Sequence, residues 1–444
     1  MPRHAAPRPP RNPIVRIAGI AILVCVVAVA GLGTAIAVGA WRPFKDEPSA
    51  TAGSTTPGPA TQASSTPADP ATTPKPVAPT TPPPPAVAKF TILAAGDVLV
   101  HTPVSASARV SGGYDFNPLL AGIDEWVQGA DLALCHLETP IAPEGTKPSG
   151  YPMFGAPREI VTALAEQGWD GCSLSSNHSV DRGYSGIEAT IAAMRDEGLG
   201  FEGTATSEKM QRIPQRYTLE REGMTIDIAH IAAAYGLNGL SVPAGKPWSV
   251  NLIDVDEIVA QAKQAREDGA DLVVVSLHFG QEYRVAPTDD QLRIAQEIAD
   301  SGAVDLLIGH HAHIPQPMAK LAGGPRGDGM WVAYGLGNML SNQDSSCCVA
   351  GTESGLLMVA DVTKTEGQPA AVTDVRWQGI TVDRRGKHHL FPFAGNLKSG
   401  AGTLSAAEMK ARHARVADEV GDEAKEIKEA PVPTGPAPTV EKRG

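Results

Sequence analysis

The sequence predicts an α/β fold, and three observations carry that reading. Between Lys89 and about Phe393, aliphatic or β-branched runs alternate with stretches of helical spacing that close at a glycine, as in parallel strands joined by crossover helices. Six short polar stretches punctuate the region: Gly96-Asp97, His136-Leu137-Glu138, Ser176-Asn177-His178 with Asp181, Leu277-His278-Phe279-Gly280, Gly309-His310-His311-Ala312-His313 and Tyr334-Gly335-Leu336-Gly337-Asn338. Most of them end an apolar run with a side chain able to bind a metal. In α/β folds, strands supply the scaffold and the residues just past their C-terminal ends supply the site. Finally, a Pro, Thr, Ala and Ser-rich stretch sets this region apart from an apolar N-terminal segment.

The elements follow in order. Thr91 to Ala95 and Asp131 to His136 read as strands. Tyr184 to Leu199 carries Ile187, Ile191 and Met194 at helical spacing and closes at Gly200. Thr225 to Ala232 is a strand, Val255 to Asp268 a helix stopped by Gly269, and Leu272 to Leu277 a strongly apolar strand. Asp289 to Asp300 is a helix ending near Gly302, and Val304 to Ile308 a strand. Trp331 to Leu336, Gly355 to Val362 and Ala371 to Val382 are β without intervening helices, so antiparallel strands should follow the parallel part. No internal repeat is present. Leu404 to Val420 has amphipathic spacing, and the Pro, Glu and Lys-rich residues beyond it read as disordered.

Upstream, Ile17 to Trp41 holds no charged residue. At about 1.5 Å per residue such a helix crosses a hydrocarbon core of about 30 Å. Arg3, Arg8, Arg11 and Arg16 precede it, which places the N-terminus in the cytoplasm and the rest outside. A cleaved signal peptide is the competing reading, since Ala28-Val29-Ala30 and Ala35-Ile36-Ala37 resemble cleavage sites. The apolar run exceeds the roughly 7–15 residues of a signal core, which favours a retained anchor. Residues 42–88, with Pro82 to Pro85 consecutive, cannot build a core and read as an extended spacer. The expected organisation is thus a basic cytoplasmic tail (1–16), a transmembrane anchor (17–41), a linker (42–88), an extracytoplasmic domain (89–402) and a short helix with a disordered tail (403–444).

A net charge of −12 and the lack of a basic stripe argue against a nucleic-acid partner. Five cysteines are too few for a disulfide scaffold. Cys135 and Cys172 fall in predicted strands and read as buried free thiols. The adjacent Cys347 and Cys348 offer a vicinal disulfide in an oxidising compartment. Gly171 to Ser175 lacks the closing glycine of a nucleophile elbow, and Gly239 to Lys246 lacks the spacing and hydroxyl of a phosphate-binding loop.

Taken singly, each polar stretch has an ordinary structural reading: a strand-end aspartate, a loop Asn-His, an Asp181 cap for the next helix, a core His278. The histidine cluster at 310–313 is harder to explain structurally, because neutral imidazole is the commonest transition-metal ligand. Together, Asp97, Glu138, Asn177, His278, His311 and His313 form a ligand set for one or two divalent ions such as Mn, Fe or Zn. A bridging carboxylate with His-rich flanks suits a two-metal site about 3.5–4 Å across. His178, with Asp181, is the expected catalytic pair, His178 serving as general acid or stabilising a leaving oxygen. His101, His136, His310, Glu282 and Asn338 are auxiliary candidates.

In their order, Gly96-Asp97, Leu137-Glu138-Thr139-Pro140, Ser176-Asn177-His178 with Asp181-Arg182-Gly183 and Gly186, His278 to Tyr283, Gly309 to His313 and Tyr334 to Asn338 resemble the motifs of the bacterial CapA capsule-synthesis family, over about residues 91–345. That family is similar to the calcineurin-like metallophosphatases. The resemblance implies a β-sandwich flanked by helices, an anchored extracytoplasmic protein, and a role in synthesis or export of an anionic polymer of the poly-γ-glutamate type beside a membrane synthase complex. Departures from the phosphatase pattern are Leu99 where a first-motif His belongs, Glu138 for a bridging Asp, and Ser176 for a Gly. His136 stands where the CapA family commonly has Asn. His101 or His136 is expected to substitute for the missing histidine. Three functions follow as expectations: polymer assembly or processing at a metal site, metal-dependent hydrolysis of wall or extracellular phosphodiesters, or a scaffold with a vestigial site. The anionic surface requires a metal, or cations such as Arg158, Arg182 and Arg284, to receive an anionic polymer.

Overall fold

The computed structural model describes residues 84–443. The expected cytoplasmic tail and anchor, and nearly all of the linker, lie outside the described residues. Among the described residues no helix is long and apolar enough to cross a membrane.

Two mixed sheets stack face to face. The first runs in the order His389–Pro392, Ala371–Asp383, Ser354–Thr365, Val87–Val98, Leu132–Leu137, Gly171–Ser173, Gly200–Glu202. The second runs Met318–Leu321, Met330–Ala333, Leu306–His310, Leu272–His278, Met224–Ala234, Gln215–Arg221, Thr439–Val440. Period-two alternation explains the layering. Ile92, Ala94, Leu132 and Leu134 of the first sheet share one core with Ile226, Leu272, Val274, Leu306 and Ile308 of the second. The intervening residues face outward under helices. Leu93, Ala133 and Cys135 pack with Ile160, Leu164, Ile187 and Met194, while Val273, Val275 and Leu307 pack with Ile258, Ala262, Ile294 and Ile298. The result is four layers, helix–sheet–sheet–helix, and the mixed α/β class is as expected.

This parity also aims the polar punctuation. His136 continues the series Leu132, Leu134, and His278 the series Leu272, Val274. His310 continues Leu306, Ile308. All three therefore lie on the inter-sheet side at strand C-termini. The Val87–Val98 strand has register shifts on both sides of Asp97, and such irregularities re-aim a side chain. Gly96 and Gly309 permit the close strand approach: an added Cβ would stand 2.1 Å from the Gly337 oxygen and 1.9 Å from the Tyr334 oxygen, respectively.

The expected elements form with small shifts. The helix predicted to run to Leu199 is Gly183–Asp196, and Gly200 instead opens a strand. Gln215–Arg221 and Met318–Leu321 were not foreseen. Met330–Ala333 pairs parallel with Leu306–His310 and antiparallel with Met318–Leu321, and Gln215–Arg221 already pairs antiparallel with Met224–Ala234, so antiparallel pairing is not confined to the end of the domain. Two expectations are corrected. Cys135 and Cys172 are not free thiols but a disulfide between neighbouring parallel strands; pairing in register brought their side chains together. The segment beyond Val420 does not behave as a disordered tail. Lys425–Glu426 pairs with the Ala371–Asp383 strand and Thr439–Val440 with Gln215–Arg221. Thr434 bonds the buried Asp131 carboxylate, which also pairs with Arg221 at 2.8 Å. Arg443 is buried against Glu202 at 3.1 Å. Polar composition hid these contacts because backbone ladders and buried ion pairs hold the segment, with only scattered apolar residues such as Ala424 and Ile427 reaching the cores.

Two outcomes follow. The disulfide closes a loop with a sequence separation of 37, so replacing both Cys135 and Cys172 by Ala should lower stability by about 2–4 kcal/mol in urea titrations. Burial raises the Glu202 carboxyl to about 7, with Arg443 and three hydrogen-bond donors opposing. A folded-state pKa above the unfolded value makes its contribution most favourable below about pH 4.5 and removes that benefit as pH rises through about 7. Glu202→Gln should flatten the fall in stability over this window, measured by urea midpoints at each pH.

Candidate metal centre

The C-terminal ends of parallel strands from both sheets converge at one end of the inter-sheet layer. Asp97, His136, Glu138, Asn177, His278, His310, His311, His313 and Asn338 all lie there, each at least nine-tenths buried. His313 Nδ1 is 3.0 Å from Asp97 Oδ2, and its Nε2 is 3.8 Å from Glu138 Oε1. His278 Nε2 is also 3.8 Å from Glu138 Oε1. His310 Nδ1 stands 3.4 Å from Asp97 Oδ1 without the alignment of a hydrogen bond. Three overlapping groups bring one ligand atom per residue within 4.8 Å of one another: Asp97, Glu138 and His313; Asp97, His136 and His310; Glu282, His311 and His313. Glu282 is exposed at the rim.

Whether these residues suit a cation is answered by their unmet valences. Asp97 Oδ1, both Glu138 oxygens, His310 Nδ1 and His311 Nδ1 are buried with no hydrogen-bond partner. A buried polar atom without a partner costs about 1–3 kcal/mol, more when charged, and here the orphans converge. Oxygen and imidazole donors of this kind suit Mn, Fe or Zn.

The protonation states agree. Burial, reinforced by neighbouring imidazoles, drives His136 and His278 well below the usual histidine range and takes His311 to about 3, so these rings are neutral, the ligating form. Burial also pushes Asp97 upward, but the His310 and His313 imidazoles outweigh it and hold the carboxyl well below its ordinary value. Glu138 goes the other way: burial, with Asp97, Glu282 and Asp181 nearby, raises it despite His313. His313 is lowered by burial, yet Glu138, Asp97 and Glu282 carry it up to about 9.

A hydrogen-bonded chain supports the centre. Ser173 Oγ is 2.7 Å from His136 Nδ1, His136 Nε2 is 2.9 Å from His278 Nδ1, and His278 Nε2 is 2.9 Å from Asn177 Oδ1. With both rings neutral and the amide oxygen an acceptor, Ser173 donates to His136, His136 to His278, and His278 to Asn177. The first two bonds can reverse by tautomer exchange, which frees His278 Nε2 as a lone pair. His178 Nδ1 lies 2.7 Å from Asp181 Oδ2, and that carboxylate also accepts from the Phe154 amide at 2.7 Å. Asp181 is therefore not a helix cap, since the Gly183–Asp196 helix has no side-chain cap. Asn338 bonds His313 Nδ1 at 3.1 Å.

Of the expected set, one residue is not brought in. His101 turns Nδ1 toward the Leu99 carbonyl at 3.0 Å and the Asn342 amide at 3.2 Å and belongs to none of the converging groups. Leu99 is core. His136 and His310 flank Asp97 instead, their rings stacked 4.0 Å apart. Arg158 is on the surface, paired with Asp196. Sequence reasoning missed Ser173, Gln343 and Tyr235. Tyr235 follows the Met224–Ala234 strand directly, a strand-end signal that was available, and its ring lies 4.6 Å from His311.

The bacterial capsule synthesis protein family PGA_cap matches residues 91–343, a span that holds every residue of this centre. The chain belongs to that family. Capsule biosynthesis protein CapA of Bacillus anthracis is 25% identical over 303 residues, 64% of this chain and 70% of that protein. A probable polyglutamine synthesis accessory protein of Mycobacterium tuberculosis is 26% identical over 287 residues, 57% of this chain and 72% of that protein. Solved structures with a similar course include the Haemophilus influenzae NAD nucleotidase, with a TM-score of 0.43, 12% identity and coverage of 76% of this chain and 65% of that one. The calcineurin-like phosphoesterase YfkN of Bacillus subtilis has a TM-score of 0.38, 14% identity and coverage of 74% and 97%.

Metal affinity in this family member should be pH-dependent. His313 and Glu138 must both shed protons before a cation takes their place. Affinity for Mn²⁺ or Zn²⁺ should rise with pH up to about 9, the His313 value, and then level off. Calorimetric titrations at several pH values check this, with proton release visible as a buffer-dependent enthalpy.

Proposed function

We propose that this chain handles an anionic capsular polymer of the poly-γ-glutamate type outside the cytoplasmic membrane, using a divalent-metal centre for its synthesis, export or processing. The observation that carries the metal-dependent part is the set of buried, partnerless carboxylate and imidazole atoms at the strand ends. Family membership supports the polymer. The apolar run at 17–41 and the Pro-rich segment after it support display at a membrane surface, beside a synthase complex that supplies the ATP-dependent bond formation this chain has no motif for.

Asp97, Glu138 and His313 would hold one cation, and His278, His311 and Asn177 would be the donors available to a second. Such an ion supplies Lewis-acid polarisation of a phosphoryl or acyl oxygen. The chain's own residues do the rest. Asn177 and His278 orient one another, Ser173 and His136 carry the tautomer exchange that frees His278 Nε2, and Asp181 holds the His178 ring so that Nε2 can give a proton to a leaving oxygen. Tyr235 lies beside His311 and Tyr283 beside His313 at the outer edge of the centre.

A second reading, metal-dependent cleavage of wall or extracellular phosphodiesters, is favoured by the His178–Asp181 pair, a geometry suited to leaving-group protonation. Both readings need the cation.

Purified protein should retain one or two transition-metal ions per chain by elemental mass spectrometry, lost in His278→Ala/His313→Ala. In cells, wild type but not Glu138→Gln should restore surface polymer to a deletion strain. Absence of bound metal after loading with Mn²⁺ or Zn²⁺ sinks the metal centre, and full complementation by Glu138→Gln sinks its use on polymer. Turnover of a generic phosphodiester with unchanged surface polymer selects the second reading.

A further inference from the structure

Beside this centre the sequence places two adjacent cysteines, Cys347-Cys348, in the turn after the Asn338–Leu340 strand. Asp344 shapes that turn. Its carbonyl accepts from the Cys347 and Cys348 amides at 3.2 and 3.0 Å. Its carboxylate accepts from the Ser346 amide at 2.7 Å and pairs with Arg384. Cys347 is exposed and Cys348 half-buried. Both are free thiols, and their sulfurs touch at 2.6 Å.

The residues just before this turn reach the metal centre. The Tyr283 hydroxyl accepts from Gln343 Nε2 at 3.3 Å. Gln343 Oε1 in turn accepts from Asn338 Nδ2 at 2.9 Å, and Asn338 Oδ1 meets His313 Nδ1 at 3.1 Å. The Tyr283 ring itself lies 6.1 Å from that of His313, and its backbone sits in the left-handed region at φ 64°, a conformation its surroundings must enforce. Tyr283, Gln343 and Asn338 thus form a hydrogen-bonded run to a metal-site histidine, and Gln343 lies just before the turn that carries the dithiol.

Covalent geometry sets the character of this dithiol. Neighbouring Cα atoms stand about 3.8 Å apart across a trans peptide, short of the roughly 4.4–6.8 Å that unstrained disulfides span. Any bridge between adjacent residues is therefore strained, and strained or exposed disulfides are the readily reduced, regulatory kind. The buried Cys135–Cys172 bridge is the structural counterpart.

We propose that Cys347 and Cys348 are a reversible modification site that forms a vicinal disulfide by exchange with an external disulfide. The exposed Cys347 thiolate attacks one sulfur of an incoming disulfide RSSR, forming Cys347–S–S–R and expelling RS⁻. The Cys348 thiolate then attacks the Cys347 sulfur, forming the vicinal bond and expelling the second RS⁻. The two cysteines lose two electrons, RSSR gains them, and the two thiol protons leave with the two RSH. Burial and the neighbouring Cys347 sulfur push the Cys348 thiol up to about 11, so the exposed Cys347 is the sulfur that reacts first.

The test uses the purified full chain in glutathione buffers of graded ratio, quenched by alkylation and read by peptide mass spectrometry. The peptide holding residues 347–348 should pass from two alkylated thiols to none, two hydrogens lighter, in one two-electron step that dithiothreitol reverses, with Cys135–Cys172 unchanged. Two alkylatable thiols across the whole range, or a stable glutathione adduct, overturns the proposal. The measurement needs neither metal nor turnover, so failure of the metal reading leaves it interpretable.

Discussion

Everything in this domain is arranged around two carboxylates that water does not reach. Asp97 is 0% and Glu138 1% exposed, and an unpaired buried charge is among the costliest things a fold can contain. The imidazoles drawn in around them are the compensation, and bringing them there constrains the rest. Both sheets must deliver strand ends to one point, and the Val87–Val98 strand must break register at Asp97. Gly96 and Gly309 must lie against neighbouring backbone. His311 and His313 adopt φ of 91° and 57°, which histidine accepts only where packing leaves no alternative. Strain and unmet polarity gathered at one spot mark a place shaped for a ligand more than for stability.

The same crowding makes the electrostatics cooperative. Neighbouring imidazoles each discourage protonation of the next, so most remain neutral. The one ring set between Asp97 and Glu138, His313, carries the positive charge for the cluster. A cation entering there exchanges one positive charge for another of higher valence, and the cluster is organised for that exchange before any ligand arrives.

Much of this was legible in the sequence because the information is local. Parity along an apolar strand tells which face its terminal histidine joins, so His278 and the Leu272–His278 strand could be read together. The glycine stops and the 3.6-residue spacing of Ile187, Ile191 and Met194 located a helix to within a few residues. What failed to show was long-range. Cys135 and Cys172 meet only because two strands pair in register, and no spacing rule encodes that. His101 lies four residues after Asp97, close in sequence, yet the chain turns it toward the Leu99 carbonyl, while His136 and His310 reach Asp97 from other strands. The stretch beyond Val420 has no hydrophobic pattern because its order comes from borrowed ladders and from Asp131 and Glu202, whose partners lie hundreds of residues away.

That stretch has a consequence for the molecule's solubility. Gln215–Arg221 and the middle of Ala371–Asp383 would otherwise offer bare hydrogen-bonding groups along a sheet margin, the usual template for aggregation. Thr439–Val440 and Lys425–Glu426 occupy those positions with short, polar, self-supplied strands. A recombinant fragment trimmed after the amphipathic helix would keep every residue of the metal centre and still be sticky, because it would have lost its own edge protection.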